Sequence, residues 1–494
     1  MAMMRGRVNS LAAAAGLKSP AAPERGFWPK QLDYPARAPA AFVLFLGYVL
    51  FFYLQGSYRI EFLGSIRFEL ITGSILVIVS FMSIAGPRAR TKPRARSPVT
   101  GWAIGMIAIA GIMTALSHAP AISWDVFVDR VVKMAMMALF ISSLVTTPTR
   151  LRWYLGAYLA SFLKMAQEGV LGLFTGGLVW ENQGTPRLHG STPNYTHPNS
   201  FAGTQLITLP FIRYLVPLAT NKWVRRLLIA QGVGAFVVVV TTGSRTGYVG
   251  LAVWLFFLWL QSQSRFKAFA FAIIAALAIL PFIPEGYTNR FETIFTQKDA
   301  EGASIDMRKE ILRDAAGVLG DHPLGVGVGA FSLVRQETFN RTQATHNLYL
   351  EVACDMGLQG LIVFTGFVMA MLLSARSMSM QADAQLARLP AAPAGPAWTA
   401  GHLQQLSAHR ADLQLIRATA LSVMSMLVIR LGLGLFGHDF YEVYWWFAAG
   451  LLIALHNMLG IATQRTDFFA NIATPPDTVP AAASLGSTPA ELST

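Results

Sequence analysis

Apolar stretches long enough to cross a bilayer recur along most of this chain, and no other feature constrains its fold as much. About 17–25 apolar residues suffice for a spanning helix. Such stretches fall near residues 39–55, 66–86, 99–117, 126–147, 152–176 and 200–219, then near 227–242, 247–261, 268–284, 357–374, 413–434 and 444–463. The pattern reads as an all-α integral membrane protein with about twelve transmembrane helices. Composition agrees. Of 494 residues, 53% are hydrophobic and 13% charged, about half the charged share of a soluble domain. That balance excludes a soluble globular chain and a disordered one. The single cysteine, Cys354, excludes an internal disulfide framework and a multi-cysteine metal site.

The formal charge of +13 is distributed by topology, which points away from nucleic acid. With the N-terminus inside, the inner loops carry fifteen cations: Arg88, Arg90, Lys92, Arg94, Arg96, Arg150, Arg152, Lys222, Arg225, Arg226, Arg265, Lys267, Arg376, Arg388 and Arg410. The short outer loops carry three, Arg59, Arg187 and Arg245. An alternation held across every loop sets the orientation and puts both termini in the cytoplasm. Residues 1–38 lack the apolar core of a cleavable signal and read as a cytoplasmic tail. Spans one to nine occupy 39–284, and spans ten to twelve occupy 357–463. An Ala/Pro-rich segment, 375–412, reads as a flexible cytoplasmic linker, and 464–494 as a disordered cytoplasmic tail.

The unusual residues gather on the outer side. The largest outer loop, 285–356, is too long to be a plain connection, and it carries helix signals. Ser304 can cap a helix whose apolar positions Ile311, Leu312, Ala315, Val318 and Leu319 recur at helical spacing. Gly320 and Pro323 end it, and Arg308, Lys309, Glu310, Arg313 and Asp314 form its polar face. Gly325, Gly327 and Gly329 follow without the βαβ setting of a dinucleotide site, so they allow a tight turn and close backbone approach. Two further outer segments stand out: 185–203, holding Arg187, His189, His197 and Asn199, and 241–250, with Arg245 at its tip.

Four strings in these segments, HPNSFA, GSRTG, MRKEILRDAAGVLGDHPLGVGVGAF and HNLYLEVACDMGLQG, together resemble the bacterial O-antigen ligase and polymerase superfamily. The likeness covers the later spans and the large loop; the early spans resemble the family only in hydropathy. It implies a helical membrane protein of the bacterial inner membrane with a large periplasmic loop containing surface helices. It also implies transfer of a glycan from undecaprenyl diphosphate to an acceptor hydroxyl, on lipid A core or a similar acceptor, at the periplasmic face. No cofactor is implied, and the outer loops hold no Asp-x-Asp metal motif. Donor, acceptor and membrane lipids are the expected partners.

The chemistry asks for fixed cations against the leaving diphosphate, a role that suits arginine's planar fork. It also asks for a base near the acceptor hydroxyl, for which a neutral imidazole serves. By the resemblance, His346 is the general base or positions the acceptor; the plainer reading is an interfacial histidine. Arg245 and Arg308 match family arginines and are expected on the diphosphate, with Arg187 a weaker third; snorkelling and a solvated helix face are the alternatives. Glu351 and Asn347 are possible supports for His346. Asp129 with Lys133, and Lys164 with Glu168, are four apart and expected to neutralise each other. Arg213 and Arg430 are given no role. A polymerase extending the lipid-linked repeat makes the same demands on residues. A lipid-linked glycan transporter fits the spans but would favour internal repeats, and none is evident.

Overall fold

Proline opens many of the helices, at the position where its missing N–H costs no intrahelical hydrogen bond. It does so in α1 (Pro39–Tyr53), α3 (Pro98–Ala115), α4 (Pro120–Val126), α6 (Pro148–Thr175) and α7 (Pro198–Leu206). Besides two short helical turns at Gly56–Arg59 and Glu61–Ser65, the other α-helices among the described residues are α2 (Phe68–Ala85), α5 (Lys133–Leu144), α8 (Leu209–Leu215), α9 (Lys222–Thr241), α10 (Arg245–Gln261), α11 (Ala303–Asp321), α12 (Phe331–Phe339), α13 (Leu348–Arg388), α14 (Ala400–Leu433) and α15 (Tyr444–Ala473). This computed structural model describes residues 32–35, 38–85, 96–182, 185–267, 303–391, 393, 398–437 and 440–473.

Among the described residues, six helices are long and apolar enough to cross a membrane: α2, α3, α9, α13, α14 and α15. The chain is a multi-pass membrane protein. Two expected spans are interrupted. The stretch 126–147 divides into the end of α4, a π-helix at Phe127–Val132, and α5. The stretch 200–219 divides into α7, α8 and a 3₁₀ turn at Val216–Leu218. The expected span at 268–284 lies outside the described residues. The expected linker 375–412 is mostly helix: α13 runs to Arg388 and α14 starts at Ala400, so the connection shrinks to 389–399. Its Ala, Gln, Leu and Arg are strong helix formers, and in the sequence its prolines all fall between the two helices. The described residues also hold one hairpin, β1 (Val179–Asn182) with antiparallel β2 (Thr185–Leu188).

The bundle core is aromatic. Tyr158 stacks on Phe447 at 4.5 Å and meets Phe162 and Phe211 edge-on. Close helix approach relies on small residues, as expected where lipid removes the hydrophobic drive between helices. A Cβ on Gly203 or Gly250 would meet Leu433 at 3.4 or 2.6 Å, and one on Gly434 would meet Leu348 at 2.6 Å.

A helical cap closes one end. Ile311, Ala315 and Val318 of α11 are buried as their spacing predicts, whereas Leu312 is exposed. Ala315 and Val318 share a small core with Phe331 and Val334 of α12 and Cys354 of α13. Asp314, expected on the solvated face, is buried instead and bonded to Arg335 of α12, which is fully buried (Oδ2 to Nε 2.9 Å, to Nη2 2.8 Å). A sequence window cannot reveal a partner 21 residues away.

The glycine loop joins this cap to a break in α13. Gly357 has φ 70° and ψ −174° inside the helix. At the break the Cys354 and Asp355 carbonyls accept from the amides of Val326 (2.8 Å) and Gly327 (2.9 Å), and Leu358 N donates to Pro323 O (3.1 Å). Gly325, Gly327 and Gly329 have φ of 87°, 112° and 71°, and a Cβ on Gly327 would collide with Ser117. Close approach is thus what these glycines provide. The Gly327→Ala protein should lose about 1–3 kcal/mol from the backbone conformation alone, with the clash added. Thermal melting in detergent checks this, and an unchanged midpoint would contradict the account.

Candidate functional site

Three helices begin at the same end of the bundle, around the last turn of α14, and each start is fixed by a side chain. His197 caps α7 by accepting from Asn199 N (3.2 Å). Ser244 caps α10 by accepting from Gly247 N (3.0 Å). Asn347 caps α13 by accepting from Tyr349 N (3.0 Å) and Leu350 N (3.1 Å). Leu433 of α14 packs against Gly203 of α7 and Gly250 of α10. Next to it, Gly434 O accepts from Leu348 N (2.7 Å). Helix N-termini carry partial positive charge, so this end favours an anion.

Arg187, Asn199 and Ser244 form one polar cluster. Asn199 Oδ1 accepts from Arg187 Nη2 (2.9 Å) and from Ser244 Oγ (2.8 Å), and Arg187 Nε donates to Thr242 O (3.0 Å). The string around Asn199 and the turn around Arg245 are therefore joined, with Arg187 of β2 as the clasp. Arg187 is 7% exposed, and its fork serves these neighbours. Arg245, the first residue of α10, is half-buried beside the cluster. Asn199 and Ser244 were not singled out as partners by the sequence; only the fold closes the 45 residues between them.

His346 lies just before α13, exposed and with φ 47°, a left-handed conformation that side chains other than glycine adopt rarely. Both neighbours hold it there. Thr345 Oγ1 donates to Asn347 O (3.1 Å), and Asn347 Nδ2 donates to Leu435 O (3.3 Å) just past α14. Upstream, Arg335 Nη1 donates to Gln343 O (3.1 Å) and Gln343 Oε1 (2.9 Å), tying the approach to His346 into the buried Asp314 pair. Asn347 thus ties the start of α13 to the end of α14. Glu351 faces the segment after α14, where Oε2 accepts from Phe440 N (3.1 Å). The Arg308 side chain lies outside the described residues.

Several contributors were missed. Asp355, 2% exposed, accepts from Tyr441 Oη (2.5 Å), Gly329 N (2.9 Å) and Phe331 N (3.2 Å), and so welds the glycine loop to the segment before α15. Arg430, left without a role by sequence, is buried one turn before Gly434, with its guanidinium 3.5 Å over the Tyr444 ring. Tyr444 Oη in turn meets Thr204 Oγ1 of α7 (2.9 Å). An arginine at the end of an apolar helix was the available signal. Lys133 pairs with Glu69 (3.5 Å), whereas Asp129 was the expected partner, because the π-helix between them changes the turn that would stack residues four apart. Lys164 does pair with Glu168 (3.1 Å), and Arg59 adds two bonds of 2.7 Å to the same carboxylate.

Residues 232–365 match the family model for O-antigen ligase. Over this stretch the chain is similar to the O-antigen ligase superfamily. The matched O-antigen ligase segment runs from α9 into α13 and so holds Arg245, the cap, the glycine loop and His346; Arg187, Asn199 and Arg430 lie outside it. The comparison with curated proteins gives no match.

Proposed function

We propose that this protein transfers a glycan from undecaprenyl diphosphate to an acceptor hydroxyl, as an O-antigen ligase acting at the periplasmic face of the bacterial inner membrane. The observation that carries the reading is the convergence of Arg245, the Arg187–Asn199–Ser244 cluster and His346 around the end of α14. In this reading the acceptor oxygen attacks the anomeric carbon as its proton passes to His346. The bond from that carbon to the diphosphate oxygen breaks, and undecaprenyl diphosphate leaves with the electron pair. Arg245 and the nearby helix N-termini offset the charge gathering on that oxygen; Arg308 is proposed as a second contact. Arg187 holds the Arg245 turn in place through Asn199 and Thr242. Lipid A core or a similar glycan is the proposed acceptor, and both termini are proposed to be cytoplasmic.

Arg245→Gln should lower transfer by roughly 10²–10³-fold, the usual loss for a donor that stabilises transition-state charge. Arg245→Lys should recover only part of it, since an ammonium lacks the bidentate fork. Transfer with purified lipid-linked donor measures both, and wild-type rates for Arg245→Gln would remove Arg245 from the mechanism. The reaction itself is tested by the glycan pools of a deletion strain. Long chains accumulating on undecaprenyl diphosphate beside bare acceptor support ligation. Single repeats on the carrier mean polymerisation, and unchanged pools with a transport defect mean a transporter.

A further inference from the structure

One carboxylate that the proposed chemistry does not use ties three separate parts of the chain together. Glu168, near the end of α6, accepts from Arg59 Nη1 on one oxygen and from Arg59 Nη2 on the other, both at 2.7 Å. It also accepts from Ser191 Oγ (2.7 Å) and pairs with Lys164 Nζ (3.1 Å). A forked arginine–carboxylate contact fixes direction as well as distance. Arg59 is held in turn, because its Nε donates to Leu54 O (2.6 Å) and its Nη2 also reaches Ser191 Oγ (3.1 Å). The Glu168 side chain is 16% exposed.

These bonds grip the loop that joins Arg187 to Asn199. After β2 the chain closes on itself, with Gly190 N donating to Tyr195 O (2.7 Å). A Cβ on Gly190 would lie 2.6 Å from the Tyr195 Cβ, so only glycine lets the loop close this tightly. Two points of the loop are anchored outside it. Ser191 is held by Glu168 and Arg59, and Asn194 N donates to Gln55 Oε1 (3.3 Å). Gln55 caps the short turn Gly56–Arg59, and Arg59 N donates back to Gln55 O (3.2 Å), so both anchors share one bracket. Past the loop, Asn199 accepts from Arg187 and from Ser244, the residue before Arg245.

We propose that Glu168 is a positioning residue for transfer: through Ser191 and Arg59 it fixes the Gly190–Tyr195 loop, and through Asn199 and Arg187 it sets the aim of the Arg245 turn. The role rests on the proposed glycan transfer and adds no contact with either substrate. A plain surface ion pair contributes little. This one differs in being forked, mostly buried and shared with a serine of the loop that carries the Arg187–Asn199 clasp.

The test is a double-mutant cycle on the full-length protein in phosphatidylcholine nanodiscs, supplied with lipid-linked donor and acceptor. Glu168→Gln should lower kcat about tenfold or more, the scale of a slightly displaced catalytic group, with both KM values unchanged. In the Arg245→Gln background the same change should cost less than about twofold, because the two residues act through one path. A merely structural role would instead cost the same in both backgrounds. Wild-type kcat for Glu168→Gln overturns the proposal, and so does an equal loss with and without Arg245. If Glu168→Gln does not fold, Ser191→Ala goes through the same cycle, with about a threefold loss expected for one hydrogen bond and the same outcomes decisive. Hydrogen exchange needs no turnover. In either variant it should rise across 188–203 and 241–247 but not across 303–345, and unaltered exchange in the first two stretches also overturns the proposal. Failure of the glycan-transfer reading would show separately, as no transfer by the wild type while the exchange pattern still reports on the loop.

Discussion

Replacing His346 with asparagine should reduce glycan transfer by roughly 10²–10⁴-fold, the contribution of a positioned general base, while the protein inserts and melts like the wild type. Asparagine is the informative choice because the backbone at residue 346 has φ 47°. Asparagine tolerates the left-handed region better than most residues, so the substitution removes the basic ring without adding strain. The Thr345 and Asn347 hydrogen bonds that frame the position do not involve the imidazole. Protein level, melting midpoint and single-turnover transfer would be measured together. A folded His346→Asn protein with wild-type turnover ends the base assignment. A rise in acceptor KM with kcat retained would instead make His346 a positioning residue.

Removing the Asp314 carboxylate should produce the largest loss of stability in the cap. Arg335 is fully buried, and its Nε and Nη2 both meet Asp314. Arg341 reaches the same carboxylate at 3.1 Å and Glu310 at 2.6 Å. With alanine at 314, the Arg335 guanidinium loses its counter-charge while buried, at a cost of about 3–5 kcal/mol. Hydrogen exchange should rise across residues 303–345 more than in the bundle. Transfer should fall too, because Arg335 also holds Gln343 on the approach to His346. Replacing both partners by apolar residues, as Asp314→Leu with Arg335→Met, should restore much of the stability, since well-packed apolar residues often substitute for a buried pair without loss. Unaltered exchange in Asp314→Ala would show that the pair contributes nothing to holding the cap.

The helices were legible where one residue property repeats with one period. Ile311, Ala315 and Val318 are buried in the cap as their spacing requires, and the glycine loop is a close backbone contact as its composition suggests. Legibility ended where a side chain's partner lies on another element. Asp314 looks solvated until α12 brings Arg335 to it. Lys133 looks paired with Asp129 until the π-helix changes the turn between them, and Glu69 takes its place. The segment 375–412 looked like a linker because alanine and proline dominate part of it, yet most of it continues α13 and α14.

The sequence by itself determined that this chain belongs in a membrane, because apolar runs of that length leave no other solvent that would accept them. It also singled out the short strings that are unusual for a membrane chain. Only the tertiary structure decided which of them meet. Asn199 joins Arg187 to Ser244, and Asp355 joins the glycine loop to Tyr441, across separations of 12 to 86 residues. Hydropathy fixes how deep a helix sits but leaves its rotation free, and rotation is set by packing, here through Gly203, Gly250 and Gly434 around Leu433 and Leu348. That packing is what gathers the starts of three helices, each fixed by its own cap, at the end of α14.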